Sequence, residues 1–370
     1  MMDQEKITLE WIGKVSAAHR NADKILVEKA IRALLLLEGI VKEGIPFVFK
    51  GGTSLMLHFQ AAKRLSIDID IIISENLSDL EARLDAIAVS QGFLRQEPQT
   101  RTVSSNIIKE HHKFFFKPLY RTRDDEDYIL LDILFEEVNY GRIIELPIRS
   151  AFLPADDNPL KVSLPCLEDL LGDKLTAFAP NTTGVPYFKK EDHMSMEIIK
   201  QLFDIGTLTD AVNDINLVRN TFLRIAETEL VYRQLQGLTP ADVLEDIFQT
   251  ALCIVSRGTD GKGNFAELQA GIQRIRGFIF SESYHLEKAI VHASKAAWLT
   301  TLIRYNSNTM ERFTSPAQVS DFVITDGVNT KLNRLKKTSP EAFFYWFKIA
   351  DILNHCCPVK LENIFHNQLS

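Results

Sequence analysis

Between Asp23 and Val41 the apolar residues Ile25, Leu26, Ala30, Ile31, Leu34, Leu35, Leu37 and Ile40 recur at helical spacing, and Asp23 stands where an N-cap belongs. This is read as the second of two lead-in helices. The first strand is predicted at Phe47-Val48-Phe49, after Pro46 and before Gly51-Gly52, with a short helix over 53–60. In Ser66-Ile67-Asp68-Ile69-Asp70-Ile71-Ile72-Ile73 the period changes to two, with isoleucines on one face and, up to Asp70, polar groups on the other. A helix over 77–91 follows, then strands near 103–108, 113–116, 128–135 and 143–148. Strands spaced this way build a mixed sheet rather than a doubly wound parallel one.

After Pro165 the pattern is helical, over 167–178, 194–208, 217–235, 240–256, 265–279 and 284–301, and the remainder continues in that style. The fold class is therefore α/β in the α+β sense, with a first domain over 1–165 and a mostly helical second over 166–370. The segment 180–192, rich in Pro, Gly, Thr and Lys, is predicted to be a long flexible loop. No internal repeat or low-complexity tract is present.

With 370 residues, 45% of them hydrophobic, the chain can bury cores for two domains. Its 42 basic and 49 acidic side chains give a formal charge of −7, so nucleic acid would have to be held by a local patch. The N-terminus is polar and acidic, and no apolar run approaches the ~18 residues of a membrane span, which makes the expected location cytoplasmic, with no membrane partner. Cys166, Cys253, Cys356 and Cys357 show no CxxC spacing and are read as reduced, structural thiols.

Chemistry concentrates between residues 47 and 136. Asp68 and Asp70, on alternate residues of a strand, share a face and can jointly hold a hard divalent cation. Burying two like charges together without one is costly unless the strand end is open to solvent. Gly51 and Gly52 let backbone N–H groups approach phosphate oxygens, and Thr53 and Ser54 begin a helix whose N-terminus favours an anion. Lys50 and Arg64 are candidates to balance phosphate charge, and Ser66 lies two residues before Asp68 on the same face. Asp132, inside the apolar run Tyr128-Ile129-Leu130-Leu131-Asp132-Ile133-Leu134-Phe135, either completes the metal set or accepts the proton of an attacking hydroxyl.

Lys50-Gly51-Gly52-Thr53-Ser54-Leu55 followed by Arg64-Leu65-Ser66-Ile67-Asp68-Ile69-Asp70 resembles the core signature of the AbiEii/AbiGii nucleotidyltransferases, which include the MenT toxins. The resemblance implies a minimal core like that of DNA polymerase β with a helical C-terminal domain, and magnesium or manganese as cofactor. It also implies transfer of a nucleoside monophosphate from an NTP to RNA, commonly tRNA, by the toxin of a toxin–antitoxin or phage-defence system with a cognate antitoxin. Leu167-Glu168-Asp169-Leu170-Leu171-Gly172-Asp173-Lys174-Leu175 and Lys200-Gln201-Leu202-Phe203-Asp204 resemble two further family motifs, which carries Lys174 and Asp204 into the site; Ile205-Gly206-Thr207 departs from the second aspartate of many relatives. The competing readings are transfer to a small molecule or protein hydroxyl, and a non-catalytic nucleotide-binding partner protein.

Three further features are weighed on their own residues. Lys109, Lys113, Lys117, Arg121 and Arg123 lie between the acidic strands and could meet polynucleotide phosphates, although Asp124, Asp125, Glu126 and Asp127 follow at once. Phe114-Phe115-Phe116 reads as core, with alternation able to offer one ring outward. His111-His112 lacks a matching cluster of ligands and reads as a surface pair, and Gly258 to Gly263 lacks the P-loop pattern and reads as a flexible turn.

Overall fold

A computed structural model describes residues 6–59, 62–75, 77–99, 108–120 and 125–355. The chain divides into two compact units: one holds Met1–Cys166 together with Arg276–Ser283, the other Leu167–Ile275 with Tyr284–Ser370.

In the first unit α1 (Leu9–Ala18) and α2 (Lys24–Lys42) lead into β1 (Val48–Lys50) and α3 (Gly51–His58). These are followed by β2 (Ile69–Ile73), α4 (Leu80–Ser90), β3 (Arg95–Pro98), β4 (Ile108–Phe116), β5 (Asp127–Phe135), β6 (Ile143–Pro147) and β7 (Lys161–Pro165). Asp23 caps α2 by accepting hydrogen bonds from the N–H groups of Ile25 and Leu26. Five strands form one sheet in the order β1-β2-β5-β4-β3, with β2 and β5 parallel and the other neighbours antiparallel, so the mixed sheet predicted from the sequence is present.

Alternation decides which face of this sheet is dry. Phe114, Phe116, Ile129, Leu131 and Ile133 are buried with Phe49, Ile69, Ile71 and Ile73, and the apolar stripes of α2 and α4 complete that core. At ~25 cal/mol per Å² of apolar surface removed from water, each such side chain contributes roughly 1.5–3 kcal/mol before entropy is counted. The opposite face carries the polar residues of β2, β4 and β5.

Four local expectations change. Ser66, Ile67 and Asp68 precede β2 rather than lying in it: β1 pairs only from Val48↔Ile72 to Lys50↔Asp70, and the parallel ladder with β5 begins at Ile69. The strand near 113–116 is the end of the longer β4, and the one expected over 103–108 falls, except for Ile108, outside the described residues. The helix expected over 265–279 stops at Arg274. From Arg276 to Ser283 the chain instead forms a clip within the first unit. Leu65 N–H donates to Phe278 O (2.7 Å), Arg64 and Ile279 form an antiparallel bridge, and Phe280 is buried against His19 and Phe152.

The second unit contains α5 (Leu167–Ala177), a hairpin of β8 (Phe188–Lys189) and β9 (Asp192–His193), α6 (Ser195–Thr209), α7 (Ile215–Tyr232) and α8 (Pro240–Val255). It continues with α9 (Phe265–Arg274), α10 (Leu286–Arg304), α11 (Leu335–Thr338) and α12 (Pro340–His355). α10 is central and packs on α6, α8 and α12. Its buried Lys295 reaches Asp210 (2.7 Å) and Glu341 (3.0 Å).

The fourth change concerns the segment over 180–192, which is anchored rather than loose. The Asp246 carboxyl accepts hydrogen bonds from Asn181 N–H (2.8 Å), Asn181 Nδ2 (2.6 Å) and Thr182 Oγ1 (3.0 Å). Burial pushes the pKa of Asp246 up against the opposing pull of these bonds. Cys166 and Cys253 are buried, and the other two cysteines lie outside the described residues.

Candidate active site

The site is built from the C-terminal end of β1. Gly51 has a positive φ of 79°, and a Cβ there would collide with the Asp70 carboxylate, so only glycine lets the turn lie against that acid. A Cβ on Gly52 would stand 2.6 Å from Arg64 Nη2 and 2.8 Å from Ser66 Oγ. The turn, the guanidinium and the serine hydroxyl therefore gather around one point, beside the first N–H groups of α3. Those N–H groups and the adjoining cation form a local field suited to phosphate.

Thr53 and Ser54 are fully buried, and their hydroxyls go to backbone carbonyls: Thr53 Oγ1 donates to Asp68 O (2.5 Å) and Ser54 Oγ to Gly51 O (2.8 Å). These bonds bolt the glycine turn to the segment entering β2. With both hydroxyls engaged in this way, what the turn can offer an anion is its backbone N–H groups. Arg64 is itself buried and donates from Nη1 to Leu65 O (3.0 Å), while the clip bridges its backbone.

The strand register sets out the charged groups. Lys50 pairs with Asp70, Asp70 with Asp132, and Asp132 with His111. Since directly paired residues project to the same side of a sheet, these four form a row across β1, β2, β5 and β4, with neighbours ~4.8 Å apart. Asp68 lies two residues before Asp70, outside the strand. Among the described residues, no three His, Cys, Asp or Glu side chains already converge as a metal cluster.

His111 is the member of this row that the sequence did not place there. Its Nδ1 is 2.5 Å from Asp132 Oδ1, and its side chain is only 12% exposed, against 33% for Asp132. His112, on the opposite face, is buried and contacts Gln96 and Glu110. The pair is thus divided between the core and the site. The only signal that could have shown this was the pairing of β4 with β5, which periodicity along one strand does not carry.

Lys174 and Asp204 belong to the helical unit, where they pair with each other at 3.3 Å, 8% and 2% exposed. Lys174 also donates to Gln201 Oε1 (3.0 Å). The departure at Gly206 has a packing reason: a Cβ there would run into the ring of His292, which is buried beside Phe203 and Tyr284. Burial holds the His292 pKa well below its ordinary value, so this imidazole is neutral.

A glycine turn open to phosphate beside a row of carboxylates suits nucleotidyl transfer, and the class is that of the nucleotidyltransferases. The family model for the nucleotidyl transferase AbiEii toxin of type IV toxin–antitoxin systems matches residues 35–266, well over half the chain. The protein belongs to this family, which brings with it an NTP substrate and a cognate antitoxin. Two solved structures are similar at 16% identity and a TM-score of 0.39: JHP933 from Helicobacter pylori, and an H. pylori protein described as a nucleotidyltransferase. Each match covers 75% of this chain, with 89% and 92% of the other. No curated protein matches the chain. Among the described residues, no helix is long and apolar enough to cross a membrane.

Proposed function

We propose that this protein moves a nucleoside monophosphate from an NTP to a terminal hydroxyl of RNA, with tRNA as the acceptor. The reading is carried by the cross-strand row that places Asp70 beside Asp132 and against the Gly51–Gly52 turn. Two adjacent carboxylates with hard oxygen donors suit magnesium or manganese, which would offset their mutual repulsion. Asp68, Asp70 and Asp132 would hold that cation, which when bound polarises the α-phosphate and screens the triphosphate.

The protein's own groups do the rest. N–H groups of Gly51 and Gly52 orient the triphosphate, and Arg64 and Lys50 balance the charge that builds on pyrophosphate as its bond to the α-phosphorus breaks. Ser66 donates to a phosphate oxygen. Asp132 stands on the acceptor side, where it takes the proton of the attacking hydroxyl as the new P–O bond forms. Cytoplasmic location and a role in phage defence belong to the same proposal.

The acceptor reading draws on the open sheet face beyond Asp132. Of the three consecutive phenylalanines, Phe114 and Phe116 are core, while Phe115 stands 5.9 Å from the exposed ring of Tyr128. Arg95 lies 4.0 Å over Phe115, and Lys113 lies 4.3 Å over Tyr128. Rings interleaved with cations suit the unpaired end of an RNA strand. Of the basic group singled out in the sequence, Lys113 is on this face, whereas Arg121 and Arg123 lie outside the described residues.

The test is incubation with magnesium, each α-labelled NTP and total RNA. Label on RNA is the expected result; label only on protein or on a small molecule would replace the acceptor. Once an acceptor RNA is in hand, Phe115→Ala and Tyr128→Ala should each raise its KM by roughly 5- to 150-fold, from the ~1–3 kcal/mol of one base–aromatic stack, with the KM for NTP unchanged. Wild-type KM for RNA in both variants would put the acceptor path elsewhere.

A further inference from the structure

We propose that His111 is a positioning residue of this site, fixing the orientation of the Asp132 carboxylate; the inference rests on the nucleotidyl-transfer reading above. An ionised carboxylate only accepts hydrogen bonds, so at 2.5 Å from Asp132 Oδ1 the His111 Nδ1 carries the hydrogen. That bond engages one of the two carboxylate oxygens. The chemistry at Asp132 then falls to Oδ2.

The neighbours show why Asp132 needs such a donor. On one flank its register partner is Asp70, a like charge on the adjoining strand, and on the other it is His111. Repulsion from Asp70 favours turning the carboxylate away, and a carboxylate free to rotate would present either oxygen to the acceptor hydroxyl. A donor fixed on the far flank opposes both tendencies, as the outer partners of metal-binding carboxylates and histidines do elsewhere.

His111 is well placed to be that fixed point. It sits within the long strand β4, paired on both sides by β3 and β5, and its neighbour His112 is anchored in the core face by Gln96. Its side chain is largely enclosed while Asp132 remains reachable. By contrast, His193 approaches Glu267 at 2.9 Å with a side chain 48% exposed, as a solvated pair does.

The test uses the full chain with His111→Ala, His111→Asn and Asp70→Ala. Asparagine retains a side-chain N–H close to the position of Nδ1. Two quantities are read: Mn²⁺ affinity by electron paramagnetic resonance titration, and kcat with the KM for NTP in the labelled transfer assay. His111→Ala is expected to lose on the order of 10- to 100-fold in Mn²⁺ affinity or kcat while the KM for NTP stays near wild type, and His111→Asn to regain most of that loss. Wild-type values in His111→Ala, or an asparagine variant no better than alanine, would overturn the assignment. Equal Mn²⁺ affinity in wild type and Asp70→Ala would instead overturn the site reading beneath it, with the two failures told apart by which variant is silent.

Discussion

Asp70→Ala is expected to lower nucleotidyl transfer by a factor on the order of 10³ or more, the scale of losing a preorganised electrostatic contact in a phosphoryl-transfer site. Asp70 is where the elements of the site meet: it lies against Gly51, opposite Lys50 and beside Asp132. The loss should appear in kcat with each NTP, and Asp70→Asn should share it, since the amide keeps the shape and removes the charge. Stability should change far less: Asp70 has the opposite charge of Lys50 as its register partner on one side and the like charge of Asp132 on the other, so the thermal midpoint of Asp70→Asn is expected to stay near wild type. Transfer at the wild-type rate in either variant would dismiss the carboxylate row as the reaction centre.

The second large effect is on folding. Asp204→Ala leaves the Lys174 ammonium buried without its carboxylate, which typically costs about 3–5 kcal/mol. For a unit of this size that corresponds to a fall in Tm of roughly 10 °C, read by circular dichroism. The hydrogen bond from Lys174 to Gln201 places the effect toward the lower end. Adding Lys174→Met to Asp204→Ala should recover much of the loss, because the buried ammonium is then gone as well. An unchanged Tm in Asp204→Ala would show that Lys174 regains solvent at little cost. Activity in these variants has meaning only beside that measurement, since a loss of transfer through unfolding would imitate a catalytic role.

Much of the first unit was legible because its signals are local. Asp23 before a helical stripe, Pro46 and Gly51-Gly52 around a short strand, and alternation through Tyr128 to Phe135 each state their own geometry. What stayed hidden depends on partners distant in sequence. The start of β2 at Ile69 is set by where β1 and β5 begin to pair, so Asp68 fell outside a strand that its own alternation had seemed to extend. Arg95–Pro98 has no apolar face to announce it, being an exposed edge strand that tolerates proline. His111-His112 read as a surface pair because one strand's period distinguishes its faces without saying that the outer one looks onto Asp132. The segment over 180–192 has the composition of a loose loop, and only Asp246, far along the chain, ties it down.

The clip from Arg276 to Ser283 gives the order of synthesis a physical meaning. Its backbone pairs with Lys63 to Leu65, and Phe280 fills a place in the first unit's core. A chain emerging from the ribosome thus exposes the glycine turn and both acidic strands long before the piece that braces Arg64 has been translated. Until then the core has a gap where Phe280 belongs, and Leu65 N–H lacks its acceptor. The bracing of Arg64 is completed only after α5 to α9 have been made, so a nascent chain, or one that stops before Arg276, lacks it. If Arg64 serves the reaction as proposed, full potency of the toxin waits until the chain has been translated past Ser283.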